Sequence, residues 1–258
     1  MTKTLLSKVG RYEFLAEPFH CDFASQLFMG HLGNHLLNAA DFHSNDRGYG
    51  MNVLGPQHRT WVLSRLAIEM NEMPKAYDHF FVETWVEGVM KFFTSRNFAI
   101  TASDGSTLGY AKSVWAMIDT DSRQPTDIFS INDGLISEYI ETEKPCPIAK
   151  SGRVKVSAEA QLVRTIDTYY NDVDVNGHIN SVKYIEHALD LFDIDFYKSH
   201  HLKRLDVAYV AETHQGDKLS FYREETAPLE YSIKVMKIVK NTGETIEVCR
   251  IKVDFVKN

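Results

Sequence analysis

The chain has 258 residues and a net charge of -7, with 28 Lys and Arg against 35 Asp and Glu. A hydrophobic share of 44% and a charged share of 24% fit one large globular domain or two small ones, and 15 Phe and 12 Tyr can line a sizeable core or an apolar pocket. The acidic balance excludes general nucleic-acid binding, the three scattered cysteines (Cys21, Cys146 and Cys249, none in a CxxC pair) exclude a disulfide framework and a zinc site, and no apolar run is long enough to span a membrane. A reducing cytosol is the expected compartment, and Met1 to Leu6 is too short and too soon followed by charge to make a signal or transit peptide.

A first strand is predicted over residues 9–20, with Val9, Tyr12 and Phe14 among polar neighbours. From Asp22 to about Phe42 the apolar spacing becomes helical (Ala24, Leu27 or Phe28, Leu32, His35 or Leu36, Ala39), with Asp22 as the N-cap. His31, His35 and Asn38 share that spacing, but no Cys or carboxylate completes a metal set, so they read as a polar stripe or core histidines. Residues 44–55, rich in Gly, Asn and Asp, form a loop. Strands follow over 58–70, 80–87, 96–102 and 108–118, the last two flanking the hairpin signal Ser103-Asp104-Gly105-Ser106. The pattern is lost between about 120 and 152, where Pro125, Pro145 and Pro147 fall beside a mixed helical fragment at 133–141. This stretch reads as a connection, dividing the chain into 1–125, a linker 126–152, and 153–258.

The most informative stretch is Asp172-Val173-Asp174-Val175-Asn176-Gly177-His178-Ile179-Asn180. It concentrates acids, amides and an imidazole. Ile179, Val182, Ile185, Leu189, Phe192 and Phe196 then recur every three or four residues, predicting a helix over about 177–197 with one buried face. The polar cluster therefore lies at or just before a helix N-terminus, where unpaired N–H groups and the positive end of the helix dipole gather. Such a place suits a carbonyl oxygen that becomes an oxyanion. The plainer reading is that Asp174 or Asn176 caps the helix and Gly177 permits a turn. One cap needs one residue, which leaves the rest of the cluster unexplained. Further on, a strand is predicted over 204–212, a turn over Thr213 to Asp217, and strands over 218–224, 231–239 and 245–255, the last two around Asn241-Thr242-Gly243-Glu244. Asp78 before Phe80-Phe81 answers Asp217 before Leu219-Ser220-Phe221, and Gly105 answers Gly243, at an offset of roughly 140 residues, which marks an internal duplication. Each unit is one long helix followed by a curved antiparallel sheet, an α+β arrangement.

Two such units in one chain make a double hot-dog, and here the residues resemble the acyl-carrier-protein thioesterases of plants and bacteria. Asp172 to Ile185 is close to that family's D-x-N-x-H-x-N-N-x-x-Y pattern. Trp61-Val62-Leu63-Ser64-Arg65, Gly109-Tyr110-Ala111-Lys112-Ser113-Val114-Trp115-Ala116-Met117 and Val207-Ala208-Tyr209-Val210-Ala211-Glu212 add to the likeness, which covers most of the chain. The resemblance implies hydrolysis of the thioester joining a fatty acyl chain to the phosphopantetheine arm of acyl carrier protein, with no cofactor. It places the polar site residues on Asp174, Asn176, His178 and a strand carboxylate, Glu212. Many plant members carry a cysteine after that glutamate. Thr213 stands there in this chain, which removes a thiolate nucleophile and favours direct attack by water. Glu212 is then the expected general base and His178 orients the water or shares the proton traffic. Asn176 and backbone N–H groups near Gly177 hold the thioester oxygen, and Asp174 orients Asn176 or the helix start. The missing plant transit peptide implies a bacterial-type enzyme of the cytoplasm.

No second D-x-N-x-H stretch lies near the first helix, so one active site per chain is expected, with the first half supplying acyl pocket. Leu27, Phe28, Leu32, Leu36, Trp61 and Val62 are candidate lining residues whose plainer reading is core packing. Lys198-Ser199-His200-His201-Leu202-Lys203-Arg204 is a candidate dock for an acidic carrier, although such a run can equally be solvated surface. His187, His200, His201 and His214 receive no role. No metal set, phosphate loop or serine elbow is present. The alternatives are an acyl-CoA thioesterase, a hot-dog hydratase (whose acid–histidine spacing differs), or a non-catalytic acyl-binding module, against which the set Asp174, Asn176, His178 and Glu212 counts. The duplication can stand in for a dimer, and a homodimer remains compatible with it.

Overall fold

The computed structural model describes residues 5–258, so the first four residues of the leader stretch considered above lie outside the described residues. Two compact units are present. The first runs to Ser64 and resumes over Met70–Lys150; the second takes Arg65–Glu69 and Ser151–Asn258.

In the first unit β1 (Gly10–Leu15) leads through a 3-10 turn (Pro18–His20) to α1 (Met29–Asp46), the short α2 (Met51–Leu54) and β2 (Arg59–Met70). Then come β3 (His79–Val89), β4 (Phe93–Ala102) and β5 (Thr107–Asp119). β1 pairs antiparallel with β3, β3 with β4, and β4 with β5. Alternation drives the pairing: Phe80, Val82 and Thr84 of β3 are buried while Phe81 and Glu83 between them are not. α1 presents Leu32, Leu36, Ala39, Ala40 and His43, a three-four stripe, and packs it on β1 and β3.

In the second unit β6 (Gln161–Asp167) and a 3-10 turn (Tyr170–Asp172) precede α3 (Ser181–Leu189) and α4 (Ile194–Ser199). β7 (His200–Tyr209), β8 (Lys218–Ala227), β9 (Glu230–Ile238) and β10 (Thr245–Lys257) follow. The strand order is β7-β10-β9-β8-β6. The Arg65–Glu69 stretch of β2 pairs along β7, from Arg65 opposite Ala208 to Glu69 opposite Arg204. α3 buries Val182, Tyr184, Ile185 and Ala188. Each unit is thus a helix on an antiparallel sheet, the hot-dog arrangement in α+β form.

Several boundaries differ from the sequence reading for physical reasons. The first helix begins at Met29, because Asp22 is spent on a tight turn: its Oδ1 accepts the N–H groups of Ala24 (2.8 Å) and Gln26 (3.0 Å). The helix predicted over 177–197 is two helices; Asp193 Oδ1 takes the Phe196 N–H at 2.8 Å and starts α4 afresh. β6 has no buried face, so no alternation announced it. β7 ends at Tyr209, which leaves Glu212 on the following loop rather than on a strand. Two 3-10 segments (Ile128–Ser130 and Asn132–Tyr139) are joined by the extended Ile131, and Ile128, Ile131, Ile136 and Tyr139 pack with Tyr49, Leu54, Val86 and Met117 in the first unit's core. Burying each such side chain contributes about 1.5–3 kcal/mol.

The duplication is visible bond by bond. Asp78 Oδ2 accepts the Lys75 N–H (2.9 Å) and the Asp78 N–H donates to the Lys75 carbonyl (2.8 Å). Asp217 Oδ2 accepts the His214 N–H (3.1 Å) and the Asp217 N–H donates to the His214 carbonyl (3.2 Å). The residue before each aspartate is left-handed, Tyr77 at φ 73° and Gly216 at φ 98°.

Candidate active site

The first wall of the site is the loop from Asp172 to Asn180. Asp174 organises it through three hydrogen bonds. Its N–H donates to the His178 carbonyl (2.9 Å), its carbonyl accepts from the Gly177 N–H (3.0 Å), and its Oδ1 accepts from the Asn176 N–H (2.8 Å). An Asx turn needs an Asp or Asn at that place, and the left-handed φ of 79° at Gly177 favours glycine. The Asn180 N–H donates to the Asp172 carbonyl (2.8 Å), and Asn180 Oδ1 caps α3 by accepting from the Val182 N–H (3.0 Å). The loop therefore closes as a miniature hairpin that delivers His178 at a fixed place.

The second wall is the segment after β7. The N–H groups of Val210 and Ala211 both donate to the Val248 carbonyl (2.9 and 3.3 Å), which ends the strand pairing. The next three carbonyls are each taken. Lys237 Nζ donates to that of Glu212 (2.6 Å), the Ile179 N–H to that of Thr213 (2.9 Å), and Thr168 Oγ1 to that of His214 (3.2 Å). The Ile179 bond fastens the two walls together. Thr213 is fully buried, so its hydroxyl is withdrawn from any substrate, and its neighbours Glu212 and His214 point away from it.

Between these walls His178 Nε2 lies 3.3 Å from Glu212 Oε2, with side-chain exposures of 24% and 36%. The pair is sheltered enough to interact and open enough to meet water and a substrate. The His214 ring stands against that of His178, centroids 4.9 Å apart and planes at 72°. Behind the loop a second acid–imidazole pair, Asp172 Oδ1 with His187 Nε2 at 3.7 Å, is more enclosed, and Asp172 Oδ2 accepts the Tyr169 N–H (2.7 Å). Tyr184 lies deeper in the unit, and burial pushes its hydroxyl well above the usual phenol range, so it stays protonated.

The four residues picked from sequence thus fall into distinct places. His178 and Glu212 meet. Asp174 shapes the turn; the cap of α3 is Asn180, not Asp174 or Asn176. Asn176 sits at the exposed tip beside the fully exposed Val175, with its amide free of side-chain hydrogen bonds among the described residues. The backbone N–H groups of Asn176 and Gly177 are already committed to Asp174, so they do not form the expected cradle for the thioester oxygen. His214 escaped the sequence reading, although the two-residue alternation of an extended Glu212-Thr213-His214 segment would have put it beside Glu212. In the basic run, Arg204 pairs with Asp206 and Glu69, and Lys198 with Asp195, while His200 stacks on Phe196. Much of that charge is therefore balanced within the unit. Among the described residues no group of His, Cys, Asp and Glu could hold a metal, and no helix is long and apolar enough to cross a membrane.

The first unit repeats this loop without its chemistry. The Asp22 N–H donates to the Gln26 carbonyl (2.8 Å) and the Ser25 N–H to the Asp22 carbonyl (2.9 Å), with Ser25 left-handed at φ 60°. The Leu27 N–H reaches the Pro74 carbonyl (2.9 Å) as Ile179 reaches Thr213. Position by position, Ala24 stands for Asn176, Gln26 for His178 and Met73 for Glu212. The aspartate that shapes the turn is kept, and the amide, imidazole and carboxylate are not.

Comparison with known proteins identifies the family. The profile described as the acyl-ACP thioesterase N-terminal domain matches residues 8–139, and that of the acyl-ACP thioesterase C-terminal domain matches residues 156–257. The chain is 26% identical over 199 residues to oleoyl-acyl carrier protein thioesterase 2, chloroplastic, of Arabidopsis thaliana, covering 73% of this chain and 53% of that protein. It is 28% identical over 191 residues to palmitoyl-acyl carrier protein thioesterase, chloroplastic, of Gossypium hirsutum, covering 70% and 46%. The chain thus spans about half the length of these curated relatives. Among solved structures, an acyl-ACP thioesterase from Bacteroides thetaiotaomicron is 50% identical with a TM-score of 0.89, covering 96% of this chain and 98% of that one. The 12:0-ACP thioesterase from Umbellularia californica, at 19% identity, shares the fold with a TM-score of 0.82 over 99% and 100% of the two chains.

Proposed function

The chain belongs to the acyl-ACP thioesterase family, and we propose that it hydrolyses fatty acyl thioesters of acyl carrier protein to the free acid and the carrier thiol. The observation that carries this reading is the 3.3 Å approach of His178 and Glu212 at the mouth of the Asp174–Asn176 turn. Glu212 accepts a proton from water as the water oxygen bonds to the carbonyl carbon. His178, held against the same carboxylate, orients that water. The carbon–sulfur bond then breaks, and the proton passes to the departing pantetheine sulfur. Such a base contributes on the order of a hundred- to ten-thousand-fold in rate. Asn176 Nδ2 is the donor left free to meet the developing oxyanion, and one such donor is worth about 3 kcal/mol. Leu27, Leu32 and Leu36, expected from sequence to line an acyl pocket, are buried in the core of the first unit. Attack by water suits a site whose Thr213 hydroxyl is enclosed.

The test is release of free fatty acid from acyl carrier protein by wild type and Glu212→Gln, with acyl-CoA of the same chain in parallel. Glu212→Gln is expected to lower kcat by roughly a hundredfold or more while the fold is retained. Wild-type turnover in that variant would remove Glu212 from the mechanism. A wild type faster on acyl-CoA than on the carrier would move the assignment to an acyl-CoA thioesterase.

A further inference from the structure

Building on that reading, we propose that His214 is a positioning residue for His178: its ring fixes the rotamer in which His178 meets Glu212. The sequence pattern of the family loop does not include it, and its role follows from the backbone. The carbonyls of Glu212, Thr213 and His214 are held by Lys237 Nζ, the Ile179 N–H and Thr168 Oγ1. The turn that follows is fixed as well, since the Gly216 N–H donates to Thr168 Oγ1 (2.8 Å) and the His214 N–H to Asp217 Oδ2 (3.1 Å). An extended segment gripped at three successive residues has little freedom in where it sends its side chains. Thr213 goes inward and is buried; Glu212 and His214 go outward, two residues apart, on the same side. His178 sits against both: carboxylate at 3.3 Å from Nε2, imidazole edge-to-face at 4.9 Å between centroids. Perpendicular rings at this separation attract.

Two described contacts meet the His178 ring, the Glu212 carboxylate and the His214 ring, so losing His214 leaves the carboxylate alone to hold it. Its backbone is fixed by the Asp174 turn, but that turn holds only main-chain atoms of His178. The first unit is informative here as well. There Lys75 occupies the place of His214, opposite Gln26 in the place of His178, and the two are joined as a backbone bridge with no ring to orient.

The experiment compares wild type, His214→Ala and His214→Phe. With acyl carrier protein substrate, His214→Ala is expected to lower kcat roughly tenfold with KM little changed, about the size of one ring contact, and His214→Phe, which keeps a ring without the imidazole nitrogens, to recover most of it. The second readout needs no substrate: the χ1 couplings of His178 measured by NMR. They should report one rotamer in wild type and His214→Phe and averaging in His214→Ala. Unchanged couplings in His214→Ala overturn the inference, whatever the activity. Averaged couplings alongside a wild type that hydrolyses no thioester would support the positioning contact and sink the proposed function instead. Averaged couplings with full kcat in His214→Ala would overturn the catalytic relevance of the contact.

Discussion

His43 shows how far the interior of the first unit constrains one side chain. It is fully buried near the C-terminal end of α1, with Nε2 3.0 Å from the Lys8 carbonyl and Nδ1 3.0 Å from the Tyr49 hydroxyl. One neutral tautomer satisfies both: Nε2–H donates to the carbonyl and Nδ1 accepts from the phenol. Burial and, after it, the nearby Arg96 and Arg47 guanidiniums push its pKa down from 6.5 to about 2. The sign follows from which state takes up the proton. Below about pH 6.5 the unfolded chain protonates this histidine and the folded one does not, so stability is full above 6.5 and falls as the pH drops towards 2, by about 1.4 kcal/mol per unit. Urea unfolding at pH 7.5 and pH 5.5 should show a larger loss for wild type than for His43→Gln. Equal losses in the two proteins would mean that another group governs the acid limb.

The loops, more than the helices and strands, carry the local code, and they were unevenly legible. Both hairpins could be read because glycine marks them: Gly105 and Gly243 are left-handed at φ 88° and 68°. The central turn was legible for the same reason, through Asp174 and Gly177. Its twin at Asp22 was not, because Ser25 fills the left-handed place of the glycine and the apolar residues Ala24, Leu27 and Phe28 happen to fall at helical spacing. β6 was missed because an exposed strand has no alternation to show. The end of β7 was misplaced because it depends on where β10 stops pairing, a contact between residues some 40 positions apart in sequence. His214 was overlooked for a similar reason: its partner His178 is distant along the chain. The cap of α3 offers a clean check on this account. Asn180→Ala removes the bond to the Val182 N–H and should cost about 1 kcal/mol in urea unfolding, while the Asp174 turn remains intact. A variant as stable as wild type would place the cap elsewhere.

Taken over the whole chain, the duplication explains why a protein with two copies of the same loop has a single candidate site. Both copies retain the turn-forming aspartate, because the turn is needed to enter the helix in either unit. Only the second retains an amide at the tip, an imidazole after it and a carboxylate on the facing segment. The family resemblance drew attention to the second loop in the sequence; its twin in the first unit became legible only when its hydrogen bonds could be laid beside those of the Asp174 loop. The decisive measurement is fatty acid release from acyl carrier protein by wild type, His178→Ala and Gln26→Ala under identical conditions. Turnover should fall by roughly a hundredfold or more in His178→Ala and stay within about twofold of wild type in Gln26→Ala, because the loop of the first unit carries none of the groups proposed to act. A comparable loss in both variants, or none in His178→Ala, would contradict a single hydrolytic site in the second unit.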